Sequence, residues 1–402
     1  MEKVFIVAAK RTPIGAFGGS LKNTSAGDLA AVAIKGALEA AKLPGDKVDE
    51  VIVGNVVGAG QGMGVGRQAA LFAGIPESVP AYGVNMVCGS GMKTVMDAVS
   101  HIRSGDAEIV VAAGVEVMSQ IPFAAPSSIR DGNKMGNLEL KDLLVADGLT
   151  DVYNQYHMGV TAENVAKQIG LTRQQQDEYA LSSQQKAVAA IEAGKFQDEI
   201  VPVEVKQRRE TVMFDTDEYP KANATMEALS KLRPAFDREG TVTAGNASGI
   251  NDGASAIIVV SESAVKAHGL TPLAEIVSYA QSGLDPKVMG LGPVESVNKA
   301  LEKAELTVND IDVYELNEAF AAQALGVIHQ LAETNQVPVN AIQDKANFNG
   351  GAIALGHPLG ASGNRILVTL VHELHKQNGQ YGVASLCVGG GMGTAVVVKT
   401  VK

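Results

Sequence analysis

The chain contains no tryptophan, and aromatic residues make up only 4% of its 402 residues. Hydrophobic residues nevertheless account for 46%, so the core has to be built mainly from Ala, Val, Ile and Leu. Together with 44 glycines for tight turns, this composition predicts an α/β architecture with buried strands. The sequence has no run of roughly eighteen apolar residues, and it therefore predicts no membrane-spanning helix.

Positive charge is also scarce. The 33 Lys and Arg residues stand against 44 Asp and Glu residues, which gives a net charge of -11. This balance does not favour nucleic acid or an anionic membrane as a partner, and an anionic ligand would need a local basic patch. Six basic residues in the middle of the chain form either a solvated face or the anchor of a phosphorylated ligand: Lys206, Arg208, Arg209, Lys221, Lys231 and Arg233.

Cysteine occurs only twice, at Cys88 and Cys387. The two are too far apart in sequence for a CxxC redox motif or a zinc knuckle. The chain starts in a strand without a basic leader, and it ends without a retention or peroxisomal tripeptide. Unpaired thiols without a secretion signal predict a cytoplasmic protein. Each thiol is either a small buried hydrophobe or a chemically active group.

Strands and helices alternate in the first and last parts of the chain. In the first part the pattern predicts strands at 4–9, 51–57 and 109–115 and helices at 25–41 and 89–103. In the last part it predicts strands at 274–280, 312–315, 346–349 and 383–387 and helices at 294–304, 318–333 and 362–376. The region from about 120 to 245 has fewer buried strands and more charge, and it predicts an inserted loop or lid domain.

A weak internal repeat links the two alternating parts. Ser90-Gly91, a helix and the strand at 109–115 align with Ser362-Gly363, a helix and the strand at 381–387. Both copies read as Ser-Gly, apolar helix, turn and apolar strand. The repeat predicts two similar halves with a site at their junction.

Cys88 lies in the segment Asn85-Met-Val-Cys88-Gly-Ser-Gly91, directly before a predicted helix. Free N–H groups and the positive end of the helix dipole stabilise a thiolate, so we expect the thiol pKa to fall below its usual ~8.5. The glycines allow a substrate carbonyl to approach, and the backbone N–H of Cys88 can then face a developing oxyanion. The segment resembles a nucleophile elbow with sulfur in place of oxygen.

A thiol nucleophile needs a base, and His357 is the first candidate among seven histidines. It precedes a proline in a glycine-rich loop between a predicted strand and helix, a setting that favours a functional role. His157, in the middle region, also stays a candidate. The other histidines are expected to be structural or solvated: His101, His268, His329, His372 and His375.

Two further side chains lie at the ends of predicted strands. Asn317 either caps the helix that follows it or uses its amide to hold a water or a ring nitrogen, and both alternatives stay open at this stage. Cys387 ends an apolar strand and is followed by Val388-Gly389-Gly-Gly-Met-Gly393. A buried thiol there can transfer a proton near a base, and the glycine N–H groups can form an anion-binding nest.

Cofactor motifs are absent from the sequence. The segment Gly58–Gly66 is rich in glycine but lacks the GxGxxG register of a dinucleotide site. The chain also lacks a GxxxxGK[ST] loop and any group of His, Cys, Asp or Glu with a metal-ligand spacing. We therefore expect no metal and no redox cofactor.

Five motifs, taken together and in this order, resemble those of the thiolase family over essentially the full length of the chain. They are Val87-Cys88-Gly-Ser-Gly-Met-Lys93, Thr243-Ala-Gly-Asn246-Ala-Ser248-Gly-Ile-Asn251-Asp-Gly253, Asn317-Glu-Ala-Phe320, Gly350-Gly-Ala-Ile-Ala-Leu-Gly-His357-Pro-Leu-Gly-Ala-Ser-Gly363 and Cys387-Val-Gly-Gly-Gly-Met-Gly393.

The resemblance implies a thiolase-like α/β fold. In that family two similar βαβαβαββ halves stack as a five-layered αβαβα core, and a loop domain is inserted in the first half. The implied halves are residues 1–270, including the loop domain at about 120–245, and residues 271–402. The implied substrates are coenzyme A thioesters, with no metal or redox cofactor.

The resemblance also implies roles for individual residues. Cys88 would carry the acyl group, His357 would be its base, and Cys387 would remove or return the α-proton of the substrate. Asn317 would hold a water that forms one oxyanion hole with His357, and the N–H groups of Cys88 and Gly389 would form the second.

Further residues are implied to bind the ligand. Ser248 would contact the pantetheine part of coenzyme A, and Met289 would line the same site. His157 and Met158 resemble the short-chain, biosynthetic subgroup, because long-chain degradative members generally lack that histidine. Bacterial relatives often have Arg near the position of Lys221, and Lys keeps the charge without the planar fork.

The implied reaction is the reversible Claisen condensation of two acetyl-CoA molecules to acetoacetyl-CoA and CoA, through an acetyl-Cys88 intermediate. Relatives are usually homotetramers built as dimers of dimers, and the same is expected here, with neither nucleic acid nor membrane as a partner. Two alternatives are thiolysis of longer 3-ketoacyl-CoA chains and an inactive protein that only binds acyl-CoA. A ketoacyl synthase is disfavoured, because such enzymes normally lack a second active-site cysteine such as Cys387.

Overall fold

The computed structural model describes residues 2–207 and 210–401. Its helices are α1 (Ala26–Ala41), α2 (Val65–Phe72), α3 (Ser90–Ser104), α4 (Met158–Ile169), α5 (Arg173–Glu192), α6 (Met226–Ser230), α7 (Glu262–His268), α8 (Gly292–Lys303), α9 (Ala321–Thr334), α10 (Asn340–Gln343), α11 (Ala352–Leu355) and α12 (Leu359–Lys376). Short 3-10 turns connect several of these elements.

The strands are β1 (Val4–Arg11), β2 (Gly15–Ala16), β3 (Glu50–Gly54), β4 (Ala81–Val84), β5 (Ile109–Val117), β6 (Phe123–Ala124), β7 (Lys141–Asp142), β8 (Thr150–Asp151), β9 (Tyr156–His157), β10 (Val203–Gln207), β11 (Glu210–Phe214), β12 (Asn251–Ser261), β13 (Ala274–Gly283), β14 (Val313–Leu316), β15 (Tyr381–Val388) and β16 (Met392–Thr400). The large sheet has the order β14-β15-β16-β13-β1-β12-β5-β3-β4, and β2 pairs with β12.

The large sheet consists of two similar halves that meet at β1 and β13. These strands share only two residue pairs, Phe5 with Glu275 and Ile6 with Ala274. From this joint outwards, β1, β12 and β5 pair antiparallel and β5 pairs parallel with β3. On the other side β13, β16 and β15 pair antiparallel and β15 pairs parallel with β14. The internal repeat predicted from the sequence is therefore confirmed, since α3–β5 and α12–β15 occupy equivalent places.

Five layers follow from how the helices cover the two halves. Helices α3 and α12 pack against each other, and their buried residues share one cluster with strands of both halves. Helices α1 and α2 cover the outer face of the first half. Helices α8 and α9 cover the outer face of the second half. The predicted αβαβα order is confirmed.

The first turns of α3 and α12 approach so closely that glycine is required at the contact. A Cβ atom on Gly91 would lie 2.7 Å from the carbonyl oxygen of Gly360. A Cβ atom on Gly363 would lie 2.6 Å from the backbone nitrogen of Met92. Because Cys88 and His357 immediately precede these turns, the glycine contact brings the two candidate residues to the same junction.

Between β5 and β12 the chain forms short two-stranded pairs and helices α4 to α6 rather than further strands of the large sheet. This region is the predicted inserted loop domain. Its helix ends follow the local sequence signals: Thr172 and Gln175 form a capping box at α5, and Gly170, with φ 76°, ends α4.

The prediction of a strand at 346–349 is wrong. Only a single bridge, between Tyr314 and Ala346, forms there. Asn347 adopts a positive φ of 49°, and its side chain bonds both the backbone nitrogen and the carbonyl oxygen of Leu316 at 2.8 Å. Side-chain hydrogen bonds thus replace the strand ladder, which the apolar pattern could not reveal. The sequence pattern also failed to identify β12 and β16, which are central in the two halves.

Crossing a bilayer requires a long apolar helix, and none of the helices within residues 2–207 and 210–401 has both properties.

Candidate active site

Cys88 lies on a strained turn between β4 and α3, residues 85–90, which we call the Cys88 turn. Val87 has φ 47°, a left-handed conformation that costs a β-branched residue about 1–3 kcal/mol. Hydrogen bonds hold it there: Val87 N–H donates to Asn85 Oδ1 at 2.9 Å, and Ser90 Oγ donates to the carbonyl of Val87 at 2.6 Å. The predicted elbow shape is therefore present.

The protonation state of Cys88 differs from the prediction. Burial raises the pKa of its thiol to about 11, and the negative charge of Glu116 acts in the same direction. The backbone N–H groups of Gly389 and Cys88 point towards the sulfur and lower this pKa, but only in part. The expected fall in pKa was wrong for the free protein, because lost hydration disfavours the thiolate more than the N–H groups favour it. At neutral pH Cys88 is a thiol that needs a base.

His357 has a defined tautomer. Its backbone N–H donates to Asn251 Oδ1 at 3.1 Å, and its Nδ1 lies 2.6 Å from Ser362 Oγ. The Ser362 hydroxyl donates its only proton to the carbonyl oxygen of Pro358 at 2.9 Å. Nδ1 must therefore donate to Ser362, and Nε2 keeps a free lone pair.

The imidazole of His357 is ready to accept a proton. Burial, assisted by the positive charge of Arg365, lowers its pKa to about 4, so the ring is neutral at physiological pH. Its Nε2 is buried and has no hydrogen-bond partner within the described part of the chain. Contacts between a nucleophile and its base often shorten only when substrate binds. A neutral thiol beside a neutral imidazole is thus the resting state.

Packing places the His357 loop, residues 356–360, against the Cys88 turn. Leu359, two residues after His357, belongs to the apolar cluster that Val87 and Cys88 contact. The carbonyl of Gly360 touches the first turn of α3 at Gly91. The loop that carries the predicted base therefore packs directly against the turn that carries the predicted nucleophile.

Cys387 reaches this pocket from the end of β15, where it pairs with Gly393 of β16. Burial raises the pKa of its thiol well above the usual range, and a charge on Cys88 raises it further. The two sulfurs are thus close enough for a charge on Cys88 to act on Cys387. Gly389 follows two residues later and directs its N–H at the Cys88 sulfur.

Asn317 lies next to Cys387's strand, because its backbone N–H donates to the carbonyl of Ser385 at 3.0 Å. The helix-cap alternative is wrong: α9 begins at Ala321, and its cap residue is Phe320. Both polar atoms of the Asn317 amide are buried without a hydrogen-bond partner among the described residues. Such an amide favours a role in holding a group inside the pocket.

Glu318, directly after Asn317, was not identified from the sequence. Its buried carboxylate anchors this segment by accepting hydrogen bonds from Tyr179, Ser183, Asn347 and the backbone of Ile353, at 3.2, 2.6, 2.8 and 3.3 Å. Since four groups from three separate segments hold Glu318, the adjacent Asn317 has little freedom to move.

An aromatic group from the loop domain borders the pocket. His157 caps α4 by accepting from the N–H of Gly159 at 3.0 Å, and its ring stacks on Phe236 with centroids 4.5 Å apart. Burial lowers the pKa of His157, so this ring is also neutral. Phe320 meets Phe236 edge to face at 6.1 Å. Phe236 and Phe320 were not identified from the sequence as members of this group.

Two methionines predicted to bind ligand belong to one cluster with Cys387. Met158 and Met289 are both buried there. The Sδ of Met158 lies 3.6 Å from the position that a Cβ atom on Gly389 would occupy. The structure thus brings both methionines to the pocket that contains the two thiols.

The Tyr219 ring connects the neighbourhoods of Ser248 and Lys221. The N–H of Ser248 donates to the carbonyl of Ala319 at 2.9 Å. The exposed Lys221 has its Nζ 5.5 Å from the ring centroid of Tyr219, and that ring lies against Gly249, the neighbour of Ser248. Of the predicted basic group, Arg208 and Arg209 lie outside the described residues.

Other histidines have structural contacts. His101 pairs with Glu50 at 2.6 Å. His372 and His375, expected at a solvated helix end, instead bond the carbonyls of Ala9 and Leu273, both at 2.9 Å. Burial lowers the pKa of His372, so the solvated interpretation was wrong for this residue.

Two residues that order the site carried signals that the sequence analysis did not use. Glu116 is a charge inside the otherwise apolar strand β5. Ser362 lies five residues after His357, within the first turn of α12. Within the described part of the chain, no three His, Cys, Asp or Glu side chains are grouped so that they could hold a metal ion.

Two family models match nearly the whole chain. The model described as "Thiolase, N-terminal domain" matches residues 4–263, and the model described as "Thiolase, C-terminal domain" matches residues 270–400. The chain is 56% identical over 400 residues to an acetyl-CoA acetyltransferase of Cupriavidus necator, an alignment that covers 99% of this chain and 100% of that protein.

Solved structures agree over the full length. The Bacillus anthracis acetyl-CoA acetyltransferase is 44% identical with a TM-score of 0.95, and the match covers 100% of this chain and 99% of that one. The human mitochondrial 3-ketoacyl-CoA thiolase in complex with CoA is 46% identical with a TM-score of 0.93, and the match covers 100% of this chain and 98% of that one.

The geometry at His357 generates a prediction for Ser362. Ser362→Ala removes the acceptor of Nδ1–H, so the ring can adopt the tautomer whose Nε2 carries the proton and cannot act as a base. We expect the rate of Cys88 alkylation by iodoacetamide at neutral pH to fall about tenfold or more. Ser296→Ala is a matched control, because Ser296 bonds back to the carbonyl of Gly292 in the same way but contacts no histidine. Equal rates in the two variants would contradict the tautomer assignment.

Proposed function

The chain belongs to the thiolase family and is an acyltransferase, and from this premise we propose that it catalyses the reversible condensation of two acetyl-CoA molecules to acetoacetyl-CoA and CoA. The names of the relatives from Cupriavidus necator and Bacillus anthracis support this activity. The observation that carries the proposal is that the Cys88 charge acts on Cys387, while the loop of a neutral His357 packs against the Cys88 turn.

The first half-reaction acylates Cys88. His357 Nε2 takes the thiol proton as the sulfur attacks the carbonyl carbon of acetyl-CoA. The N–H groups of Cys88 and Gly389 stabilise the oxyanion, and each such donor contributes about 3 kcal/mol. The bond between carbon and the CoA sulfur then breaks, and the leaving CoA thiolate takes its proton from Cys387. The enzyme is left as acetyl-Cys88 with an imidazolium and a Cys387 thiolate.

The second half-reaction forms the carbon–carbon bond. The Cys387 thiolate removes the α-proton of a second acetyl-CoA, and the raised pKa of this thiol makes it a strong base once ionised. Asn317, through a water, and the protonated His357 hold the enolate oxygen. The α-carbon attacks the Cys88 thioester, Cys88 leaves as a thiolate, and His357 returns its proton. All groups regain their starting protonation states.

Ligand contacts are assigned on the same basis. We assign Ser248 to the pantetheine arm and Lys221, beside Tyr219, to the phosphate end of coenzyme A. His157, Met158 and Met289 border the acyl end. The CoA bound to the human relative supports coenzyme A thioesters as the ligand class.

We also propose that the chain divides into halves at residues 1–270 and 271–402. The two unpaired thiols support the expected cytoplasmic location, because oxidising compartments favour disulfides.

The half-reactions can be separated by substituting each cysteine. Cys88→Ser is expected to abolish the acetyl-enzyme, because the sulfur that carries the acetyl group is gone. Cys387→Ser is expected still to form acetyl-Cys88, since CoA can leave as a thiolate and take its proton from solvent. It is expected to lower steady-state condensation by about 10²–10⁴, because the thiolate that removes the α-proton is gone. Mass spectrometry of the intact protein after mixing with acetyl-CoA measures the first effect, and release of CoA measures the second. Acetylation at residue 88 together with normal turnover in Cys88→Ser would disprove the mechanism.

Chain length distinguishes the proposed activity from degradative thiolysis. We expect the stacked rings of His157 and Phe236, together with Phe320, to restrict a long acyl chain. We expect thiolysis of acetoacetyl-CoA to exceed that of 3-ketodecanoyl-CoA by about tenfold or more in kcat/KM, which corresponds to ~1.4 kcal/mol in the transition state. A preference for the longer substrate would establish the degradative alternative instead.

A homotetramer, built as a dimer of dimers, is the proposed assembly. Strand β4 is an edge of the large sheet, and Tyr82 on it is exposed, as are Met63 and Phe72 nearby. Unpaired edges and exposed apolar groups favour association. Light scattering is expected to give four times the chain mass of 41.7 kDa. Tyr82→Lys is expected to lower this mass, whereas Met213→Lys, on β11, serves as the exposed control. A monomer mass for the unaltered chain would contradict the proposal.

A further inference from the structure

Glu116 is a buried carboxylate between the Cys88 turn and the His357 loop, and the reaction steps above give it no role. It is the penultimate residue of β5 and is 0% exposed. Its oxygens accept four hydrogen bonds: from Asn55 Nδ2 at 3.1 Å and from the backbone N–H groups of Val56, Val57 and Gly360 at 3.0, 3.1 and 2.9 Å. All four donors are neutral.

One set of these bonds leads to the nucleophile. Glu116 holds the segment Asn55–Val57, and the carbonyl of Val56 accepts a hydrogen bond from Asn85 Nδ2 at 3.0 Å. The other end of the same amide, Asn85 Oδ1, accepts from the N–H of Val87 at 2.9 Å. Val87 is the strained residue immediately before Cys88. A continuous hydrogen-bonded path therefore connects Glu116 to the Cys88 turn.

The remaining bond leads to the base. Gly360 lies three residues after His357 in the first turn of α12, the turn that also carries Ser362. A Cβ atom on Gly360 would lie 2.5 Å from the carbonyl oxygen of Val115 and 2.7 Å from Glu116 Oε2. Glycine at this position thus allows the carboxylate of the first half to bond the backbone of the second half directly.

The charge of Glu116 is unpaired. Among the described residues no Lys, Arg or His nitrogen forms a salt bridge with it. Burial raises its pKa to about 7, while the N–H groups of Val56, Val57 and Gly360 act in the opposite direction. Glu116 is therefore ionised in the alkaline range in which Cys88 loses its proton, and its charge disfavours the Cys88 thiolate.

We propose, on the basis of the proposed acyl-transfer function, that Glu116 is a positioning residue that fixes the Cys88 turn relative to His357 across the junction of the two halves. It touches neither sulfur nor imidazole, and it acts through Asn85 on one side and Gly360 on the other. Its loss therefore changes the rate of the chemical steps and leaves binding of the CoA thioester unchanged.

Glu116→Gln tests this role, because it keeps the size of the side chain, removes the charge and turns one acceptor into a donor that faces N–H groups. We expect kcat for thiolysis of acetoacetyl-CoA to fall by up to about 10²-fold with KM unchanged, since small misplacements of reacting groups have effects of that size. The pH midpoint of Cys88 alkylation by iodoacetamide is expected to move to lower pH, because a negative neighbour has been removed. The midpoint reports only the lost charge, whereas a fall in kcat at unchanged KM reports the positioning role.

Glu116→Asp keeps the charge but is too short to reach both segments. It is expected to lower kcat while the alkylation midpoint stays that of the unaltered chain, and it tests the proposal even if Glu116→Gln does not fold. Glu373→Gln is the control, a buried carboxylate bound by Asn349 and Gln377 and expected to leave both measurements unchanged.

Two results would overturn the proposal: a loss of kcat in Glu116→Gln no larger than in Glu373→Gln, or an unchanged kcat in Glu116→Asp. Alkylation of Cys88 needs no CoA substrate. An unaltered chain that is alkylated normally but transfers no acetyl group would therefore overturn the proposed function separately.

Discussion

The close contact between the first turns of α3 and α12 is the constraint on which the site depends. Gly91 and Gly363 let two backbones approach where any Cβ atom would collide. Each turn follows a candidate reactive residue, Cys88 in one half and His357 in the other. Because neither half contains both groups, the chemistry exists only where the halves meet. Glu116 strengthens the same junction by bonding backbone from both sides.

Burial determines how the reactive groups behave. In water a thiol and an imidazole titrate near neutral pH, but here lost hydration favours the neutral form of each. Cys88 and His357 are therefore both neutral at rest. In the proposed mechanism the thiol proton moves to His357 as the Cys88 sulfur attacks a substrate carbonyl. Ser362 makes this possible by holding the His357 proton on Nδ1. Burial likewise favours the neutral thiol of Cys387, and a charge on Cys88 adds to this effect.

Local signals were sufficient for much of the secondary structure. Ser25 caps α1 and Gly105 ends α3, as the residue types at these positions predict. The signals were insufficient where a side chain forms hydrogen bonds with the backbone of a strand that is distant in sequence. Asn347 does so at Leu316, and the predicted strand there does not form. The interpretation of Asn317 as a helix cap failed because α9 begins three residues later than that role requires.

The sequence by itself determined the class of fold and the family and predicted the candidate reactive groups, because these depend on residue types and spacings within short segments. Only the tertiary structure decided their protonation, since the pKa of Cys88 follows from burial and from charges that lie far away along the chain. It also decided which supporting residues matter. The sequence signals at Glu116 and Ser362 do not reveal their effect, which arises from the groups that folding brings within hydrogen-bond distance of them.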